Sequence, residues 1–507
     1  MENKKYDVIV IGAGLGGLGA ASQLAIEGKH VLLLEKHNVP GGFATSFVRG
    51  RFEFEGALHV LSDIGTEENP GSFYRYLEKL GVVPDHLKFK SAREYYRSVF
   101  FDGYDVTMPF GVDPFFDKLI ELFPNETEGI EKFKEICLKV QDGFDYIASK
   151  GGIASPMAIL MKHSWVARVA GLTVEDLFNR CVKGKRLRAV LAQIWGYDGL
   201  PPSKLNAIYF IITLISLLRS ATYPIGRSHA MTSAIVEGIK NLGGEVRYNA
   251  LVNRILVENG RASGVELLNG DIYKSKAIIS NVNPICTTMK MLPPEVVSES
   301  YKRRIYAPQI GVSAFSVYIG LNSPPKKLGL TSHETFINAT DDNDEIYDAM
   351  TRLEAPKIIV AACYNNIEET ISPPGTSQLV LTSLQKGNVW HSVSPDQYHQ
   401  IKDELANEMI TMVEKTISPD LRKYIEVAEG ATPLTYYRYS KNMDGAVYGY
   451  TQEILNSPML RLKGRGAVPG LYLGGAWVNL GGGFYPSINS GRMAAAACLN
   501  DMQKGRL

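Results

Sequence analysis

The 507-residue chain carries 54 basic and 53 acidic side chains, so its formal net charge is only +1. This balance gives no electric field that would attract nucleic acid, and the length predicts about three domains with a large core. Five cysteines lie far apart and form no C-x-x-C pair, which indicates a reduced, cytoplasmic protein without a structural metal. The apolar run near the N-terminus is the predicted first strand, so no cleaved targeting segment is expected.

The first predicted element is a strand over residues 6–11, whose sequence YDVIVI is apolar and β-branched. It leads directly into glycines spaced as G-x-G-x-x-G, at Gly12, Gly14 and Gly17. Helical spacing of apolar residues follows, so a helix N-terminus would face a bound diphosphate. The predicted ligand contacts in this turn are Gly12, Ala13, Gly14, Leu15, Gly16 and Gly17.

A second apolar run, residues 31–34, ends at Glu35. This acid lies at the distance past Gly17 where dinucleotide-binding proteins place the carboxylate that binds the ribose hydroxyls. A carboxylate here would also repel a 2′-phosphate. The combination predicts dinucleotide binding rather than a coincidental glycine-rich turn.

Another glycine pair, Gly41-Gly42, follows within the sequence PGGFAT of residues 40–45. At this point the chain resembles the FAD-dependent amine oxidase and phytoene desaturase superfamily, in which a double glycine lets the loop close on the flavin side of the cofactor. An ordinary type II turn is the alternative. The resemblance implies FAD contacts at Glu35, Lys36, Gly41, Gly42, Phe43, Ala44 and Thr45.

Residues 52–59, FEFEGALH, alternate like a strand at their start. In the resembling family a similar phenylalanine–acid–x–glycine stretch runs beside the flavin. Glu55 and His59 are therefore candidate catalytic residues. An exposed surface carboxylate and a hydrogen-bonded core histidine are the alternatives.

Residues 72–219 have a helical pattern with two unusually apolar parts. Residues 207–218, AIYFIITLISLL, are too few to span a bilayer, which takes about 20 residues. They predict either a buried core helix or the wall of an apolar substrate tunnel. Residues 154–172 are amphipathic. Together with residues 207–218 they predict a peripheral membrane contact, with Lys162 and Arg168 near the lipid headgroups and an open apolar tunnel behind them.

From residue 223 to residue 280 the pattern predicts a helix and then short strands, and it resembles the second cofactor segment of the same family. That resemblance implies that the strand around Val252 holds the adenine through main-chain groups. Arg227 departs from the family, which commonly has a glycine there.

Two further stretches resemble the family near the C-terminus. Residues 444–449, DGAVYG, look like the glycine–x–x–tyrosine–glycine loop of the retinol saturase and carotenoid isomerase branch, which makes Tyr448 a candidate catalytic residue. Packing of sheet faces is the alternative for these aromatic residues. Residues 470–476 and 481–483 imply FAD contacts at Gly475, Gly482, Gly483 and Ser487, with a helix N-terminus at residues 487–491 beside the flavin pyrimidine.

We therefore predict an α/β fold with a discontinuous Rossmann-type FAD-binding domain (residues 1–71, 222–300 and 440–507). A mixed α+β substrate-binding domain would comprise residues 72–221 and 301–439. The resemblance implies an FAD-dependent oxidoreductase that desaturates, saturates or isomerises carbon–carbon bonds of a hydrophobic polyene or isoprenoid-like lipid. A flavin amine oxidase and a non-catalytic flavin- or lipid-binding protein are the alternatives. No second G-x-G-x-x-G is present, so quinone, oxygen or an external reductant would exchange the electrons.

Overall fold

The structure, a computed structural model, describes residues 5–66, 68–149 and 161–507. In these residues the strands are β1 (Lys5–Ile11), β2 (Val31–Leu34), β3 (Ser46–Arg49), β4 (Phe52–Glu55), β5 (Phe89–Ser91), β6 (Tyr96–Phe100), β7 (Asp105–Met108), β8 (Thr222–Pro224), β9 (Glu245–Arg247), β10 (Val252–Glu258), β11 (Arg261–Leu267), β12 (Ile272–Ser280), β13 (Ser313–Leu321), β14 (Glu334–Asn338), β15 (Ile358–Ala362), β16 (Ser377–Gln385), β17 (Ile425–Ala431) and β18 (Leu471–Leu473). The α-helices are α1 (Leu15–Ile26), α2 (Ser72–Lys79), α3 (Val112–Leu122), α4 (Thr127–Ser149), α5 (Ser164–Ala170), α6 (Val174–Cys181), α7 (Lys185–Ala192), α8 (Ala207–Arg219), α9 (Arg227–Asn241), α10 (Pro284–Met289), α11 (Glu299–Tyr306), α12 (Asn343–Ala349), α13 (Pro395–Thr416), α14 (Pro433–Ser440) and α15 (Phe484–Gln503).

The first large sheet has the order β10-β11-β12-β1-β2-β9, and β18 pairs with the second half of β12. The strands β12, β1, β2 and β9 run parallel, and so does β18 beside β12. In the register, Ile11 lies beside both Ser280 and Leu34, and Ser280 lies beside Leu473. Loops that are distant in the sequence therefore leave the sheet at one edge, which is where open α/β sheets bind ligands.

A second sheet has the order β17-β13-β16-β15-β14-β6-β7. Its strands are antiparallel to their neighbours except for β14 and β6, which are parallel. The helices α3 to α8 form a separate layer with a hydrophobic core of its own. This layer packs against the second sheet through Phe336 and Ile358.

Helix α8 lies in the core of the helical layer, as the core-helix interpretation predicted, and its residues Ile212 and Leu217 also line the cavity described below. Ile211 and Leu214 are completely buried, and Asn206 caps the helix by accepting a hydrogen bond from the Ile208 amide. No helix within residues 5–66, 68–149 and 161–507 is long and apolar enough to cross a bilayer.

Candidate active site

A cavity of about 1200 Å³ lies between the first sheet, the second sheet and the helical layer. It is larger than the usual ligand pocket of about 300–1,000 Å³. Of the predicted site residues, those that line the cavity are Gly12, Gly14, Leu15, Gly16, Glu35, Lys36, Gly41, Gly42, Phe43, His59, Val252, Tyr448, Gly482, Gly483 and Ser487. Those that do not line it are Ala13, Gly17, Ala44, Thr45, Glu55 and Gly475.

The glycine turn after β1 forms a cradle at one end of the cavity. Gly12 has a φ of +89°, which a residue with a side chain rarely adopts. A Cβ atom on Gly16 would lie 2.4 Å from the Gly475 Cα atom, so this position tolerates only glycine. The spacing of the motif thus serves a close backbone approach, as a diphosphate site requires.

Two glycines of the predicted FAD set have packing roles instead of cavity contacts. A Cβ atom on Gly17 would lie 1.7 Å from the carbonyl oxygen of Gly12, so Gly17 lets α1 begin against the end of β1. A Cβ atom on Gly475 would lie 2.3 Å from the Asn281 Oδ1 atom. Both glycines therefore allow the segments that form the cradle to pack closely, without lining the cavity themselves.

Glu35 lies directly after β2 at the edge of this cradle, and only 8% of its surface is exposed. Its carboxylate accepts hydrogen bonds from the Ala13 amide at 2.6 Å and from the His37 amide at 2.8 Å. Ala13 therefore binds Glu35 rather than lining the cavity. A carboxylate has about four lone-pair sites, so two remain for ribose hydroxyls.

The double glycine packs directly on the first glycine turn. The Gly41 amide donates a hydrogen bond to the Ala13 carbonyl at 2.8 Å, and Gly41 has a φ of +111°. A Cβ atom on Gly41 would lie 2.0 Å from the Ala44 carbonyl oxygen. Ala44 and Thr45 consequently fold away from the cavity.

Asn281 is a site residue that the motif analysis missed. It follows β12 and lines the cavity, and its Nδ2 atom lies 2.7 Å from the Cβ position of Gly14. Only the pairing of β1 with β12 brings Asn281 beside Gly14. The signal available in the sequence was a polar residue at the end of a predicted strand.

Glu55 is not at the cavity surface, which corrects its assignment as a candidate catalytic residue. It is completely buried and accepts hydrogen bonds from the Tyr223 hydroxyl at 2.9 Å, the Ser228 amide at 2.8 Å and the Ser228 hydroxyl at 2.5 Å. Burial raises the pKa of Glu55, although these hydrogen bonds oppose the rise. The hydrogen bonds of Glu55 thus link the end of β4 to the start of α9. The alternative interpretation, an exposed surface carboxylate, is also wrong.

His59 lies at the cavity surface and is held by two residues that the sequence did not single out. Its Nδ1 atom lies 2.6 Å from the Glu334 Oε1 atom, and the Tyr197 hydroxyl donates a short hydrogen bond to the same oxygen. Burial alone would raise the pKa of Glu334, but His59 and these hydrogen bonds hold that pKa below its ordinary value. Glu334 therefore orients His59, whose Nε2 atom has no hydrogen-bond partner among the described residues.

Tyr448 lines the cavity beside the C-terminal glycines. A Cβ atom on Gly482 would lie 2.7 Å from the Tyr448 Cα atom, so the two loops pack without space for a side chain. Burial raises the pKa of Tyr448 well above its ordinary value, which keeps the phenol neutral.

The last helix, α15, begins at Phe484, three residues before the predicted start at Ser487. Gly483 has a φ of +99° and ends the preceding loop. Ser487 lies in the first turn and lines the cavity. The positive end of the helix dipole therefore faces the cavity, and its position beside the flavin pyrimidine stays a prediction.

Residues 10–77 match the family model of the NAD(P)-binding Rossmann-like domain. The chain is 27% identical to prolycopene isomerase 2 of an Oncidium hybrid cultivar, over 99% of this chain and 85% of that protein. It is 26% identical to all-trans-retinol 13,14-reductase of Danio rerio, over 87% of this chain and 77% of that protein. It is 23% identical to the lycopene-forming phytoene desaturase of Pseudescherichia vulneris, over 98% and 99%. These similarities confirm the resemblance inferred from the motifs.

Solved structures of amine oxidases share the architecture at low sequence identity. Cyclohexylamine oxidase from Brevibacterium oxydans superposes with a TM-score of 0.61 and 16% identity, over 99% of this chain and 100% of that chain. The predicted α/β fold with a Rossmann-type domain is thereby confirmed. At this identity the likeness concerns the fold alone.

Proposed function

We propose that this chain, a homologue of prolycopene isomerases, a retinol reductase and a phytoene desaturase, is an FAD-dependent oxidoreductase of hydrophobic polyenes. By their names, these relatives isomerise, reduce or desaturate polyene substrates. The supporting observation is one continuous cavity that joins the glycine cradle to a wall of apolar side chains on α8, including Ile212 and Leu217. An extended apolar substrate could thus reach the cofactor without crossing water.

FAD fits the residues of the cradle. Gly12, Gly14 and Gly16 leave room for a diphosphate, Glu35 offers lone pairs to a ribose, and the first turn of α15 offers a positive dipole to the flavin. When bound, FAD would supply or accept the hydride of the reaction. Quinone, oxygen or an external reductant remains our proposed electron partner.

The flavin is proposed to be held without a covalent bond. The thiol of Cys286 lines the cavity and is a potential attachment point for a flavin. Burial raises the pKa of Cys286, so it is a neutral thiol and a poor nucleophile. Denaturation should therefore release all the yellow colour, and flavin that stays with the precipitate would refute this point.

Peripheral membrane contact is proposed beside Pro458, which lines the cavity. Residues 154–160 of the predicted amphipathic segment lie outside the described residues, and α8 is buried, so neither carries this proposal. Leu455 and Met161 are 81% and 76% exposed. Asn206 links the loop before Leu455 to the end of α5, because its amide donates to the Gln452 carbonyl at 3.0 Å and its side chain donates to the Ala170 carbonyl at 2.8 Å. Lys162 and Arg168 would lie near the headgroups.

The test is anaerobic incubation of the FAD-loaded protein with a polyene such as a carotenoid or retinoid. We expect a change in the flavin absorbance spectrum or, for a redox-neutral isomerisation, a changed product by mass-resolved chromatography. Amine-dependent peroxide release with no change in any polyene would instead support an amine oxidase. A flavin that neither reagent reduces or oxidises, with unchanged polyene, would support a non-catalytic binding protein.

A further inference from the structure

Asp198 is a buried carboxyl group in the wall of the cavity, directly after a 3-10 turn over Gln193–Tyr197. Its Oδ1 atom accepts a hydrogen bond from the Thr213 hydroxyl at 3.0 Å. Its Oδ2 atom is buried and has no hydrogen-bond partner among the described residues. Since an unsatisfied buried oxygen costs about 1–3 kcal/mol, its presence beside a cavity indicates a role other than stability.

The position of Asp198 connects it to the cofactor end of the cavity. A Cβ atom on the next residue, Gly199, would lie 3.1 Å from the Tyr448 ring, and Tyr448 itself packs on Gly482. Asp198 is therefore separated from the C-terminal glycine loop by one tyrosine.

The groups that face Asp198 are mostly neutral. Tyr448, Tyr95 and Tyr209 interact with it electrostatically, and no described lysine, arginine or histidine forms an ion pair with it. Arg461 reaches this network through Tyr209, to whose hydroxyl it donates a hydrogen bond at 3.2 Å. Glu334 acts electrostatically on Tyr95 and Tyr448 as well, so a second carboxylate faces the same two tyrosines.

This environment keeps the proton of Asp198 exchangeable. Burial raises the pKa of Asp198 to about 7, and the Thr213 hydrogen bond only partly opposes the rise. Both the carboxylic acid and the carboxylate are thus populated near neutral pH, which is the condition under which a general acid or base works best.

We propose that Asp198 gives a proton to, and takes a proton from, a carbon atom of the substrate; this inference rests on the proposed function. In the reducing direction, the O–H bond of Asp198 breaks and a C–H bond forms at one carbon of the double bond. Reduced flavin, when bound, would supply the hydride for the other carbon, and solvent would return a proton to the carboxylate. Desaturation is the reverse: the carboxylate receives the proton, and bound oxidised flavin would accept the hydride. In isomerisation one proton is added and then removed, so no electrons are exchanged overall.

The first experiment needs no turnover. Infrared spectra of the FAD-loaded protein across pH should show a protonated-carboxyl band that disappears with a midpoint near neutral pH. Asp198→Asn should remove this band. Asp63→Asn removes another carboxyl of the cavity wall whose pKa burial also raises, and it should leave the band in place. Thr213→Val should keep the band and raise its midpoint, because the opposing hydrogen bond is lost.

The second experiment measures turnover of a polyene in D₂O. The wild-type protein should place solvent deuterium on a product carbon, and Asp198→Asn should slow turnover by about 10²–10⁴-fold with unchanged flavin content and chemical reducibility. Wild-type turnover in Asp198→Asn would overturn the proposal. So would a difference spectrum, wild type minus Asp198→Asn, that contains no carboxyl band titrating near neutral pH. If wild-type protein converts no polyene, the proposed function fails, whereas the infrared band still decides whether Asp198 holds an exchangeable proton.

Discussion

Replacement of Glu35 by alanine tests how the edge of the sheet holds both its own loops and the cofactor. The Glu35 carboxylate joins the Ala13 amide of the glycine turn to the His37 amide after β2. Ala13 is completely buried in the intact protein, and its amide loses this partner when the carboxylate is removed. Glu35→Ala should therefore affect the protein before any FAD is added.

The structure sets the size of both effects. An unsatisfied buried amide costs about 1–3 kcal/mol, and the less buried His37 amide costs less, so the apoprotein should lose about 2–4 kcal/mol of unfolding free energy. Loss of charge-assisted hydrogen bonds to the ribose should cost about a further 1.5–3 kcal/mol of FAD binding. That second loss corresponds to an affinity about 10- to 150-fold weaker.

Denaturant titration of the apoprotein and FAD titration by flavin fluorescence measure the two effects separately. Glu27→Ala is the matched control, because Glu27 is exposed at the end of α1 and accepts only a side-chain hydrogen bond from Gln23 at 3.2 Å. It should change neither quantity by more than about 0.5 kcal/mol. Lost stability with unchanged FAD affinity would show that Glu35 holds the two loops but does not bind the ribose. Unchanged stability together with unchanged FAD affinity would refute both expectations.

Three further predictions concern other parts of the site. Gly17→Ala should abolish FAD binding, because its Cβ would lie 1.7 Å from the Gly12 carbonyl oxygen, and a normal flavin content after purification would contradict this. Asp198→Asn should raise the free energy of unfolding at pH 8 but not at pH 4. With a pKa of about 7, Asp198 of the folded protein keeps a proton that the unfolded chain releases above about pH 4. Wild-type stability therefore falls as pH rises from about 4 to about 7, by about 1.4 kcal/mol per pKa unit. Denaturant titrations at the two pH values check the difference, and equal shifts would refute it. Ile211→Asp should unfold the protein, whereas Leu455→Asp should keep fold and flavin but weaken liposome co-sedimentation; undiminished sedimentation of folded Leu455→Asp would count against the membrane contact.

The local part of the cofactor site could be predicted from the sequence. The turn at Gly12, Gly14 and Gly17, the helix after it and the acid at Glu35 form a continuous segment whose spacing is set by one strand–turn–helix–strand unit. Each feature depends on neighbours in the chain, such as the approach of Gly17 to the Gly12 carbonyl. Residue types and distances along the chain were therefore sufficient for this end of the site.

Only the tertiary structure decided the rest. Strand pairing brings Asn281 to the glycine turn, and contact between the second sheet and the loop after β4 brings Glu334 to His59. Neither pairing leaves a local signal, because registers between distant strands depend on the whole packed core. In the folded chain Glu55 is buried among hydrogen-bond donors, whereas Asp198 lies in the cavity wall with an unpaired oxygen. The chemistry of a carboxyl group follows from its surroundings, and those are assembled only when the chain has folded.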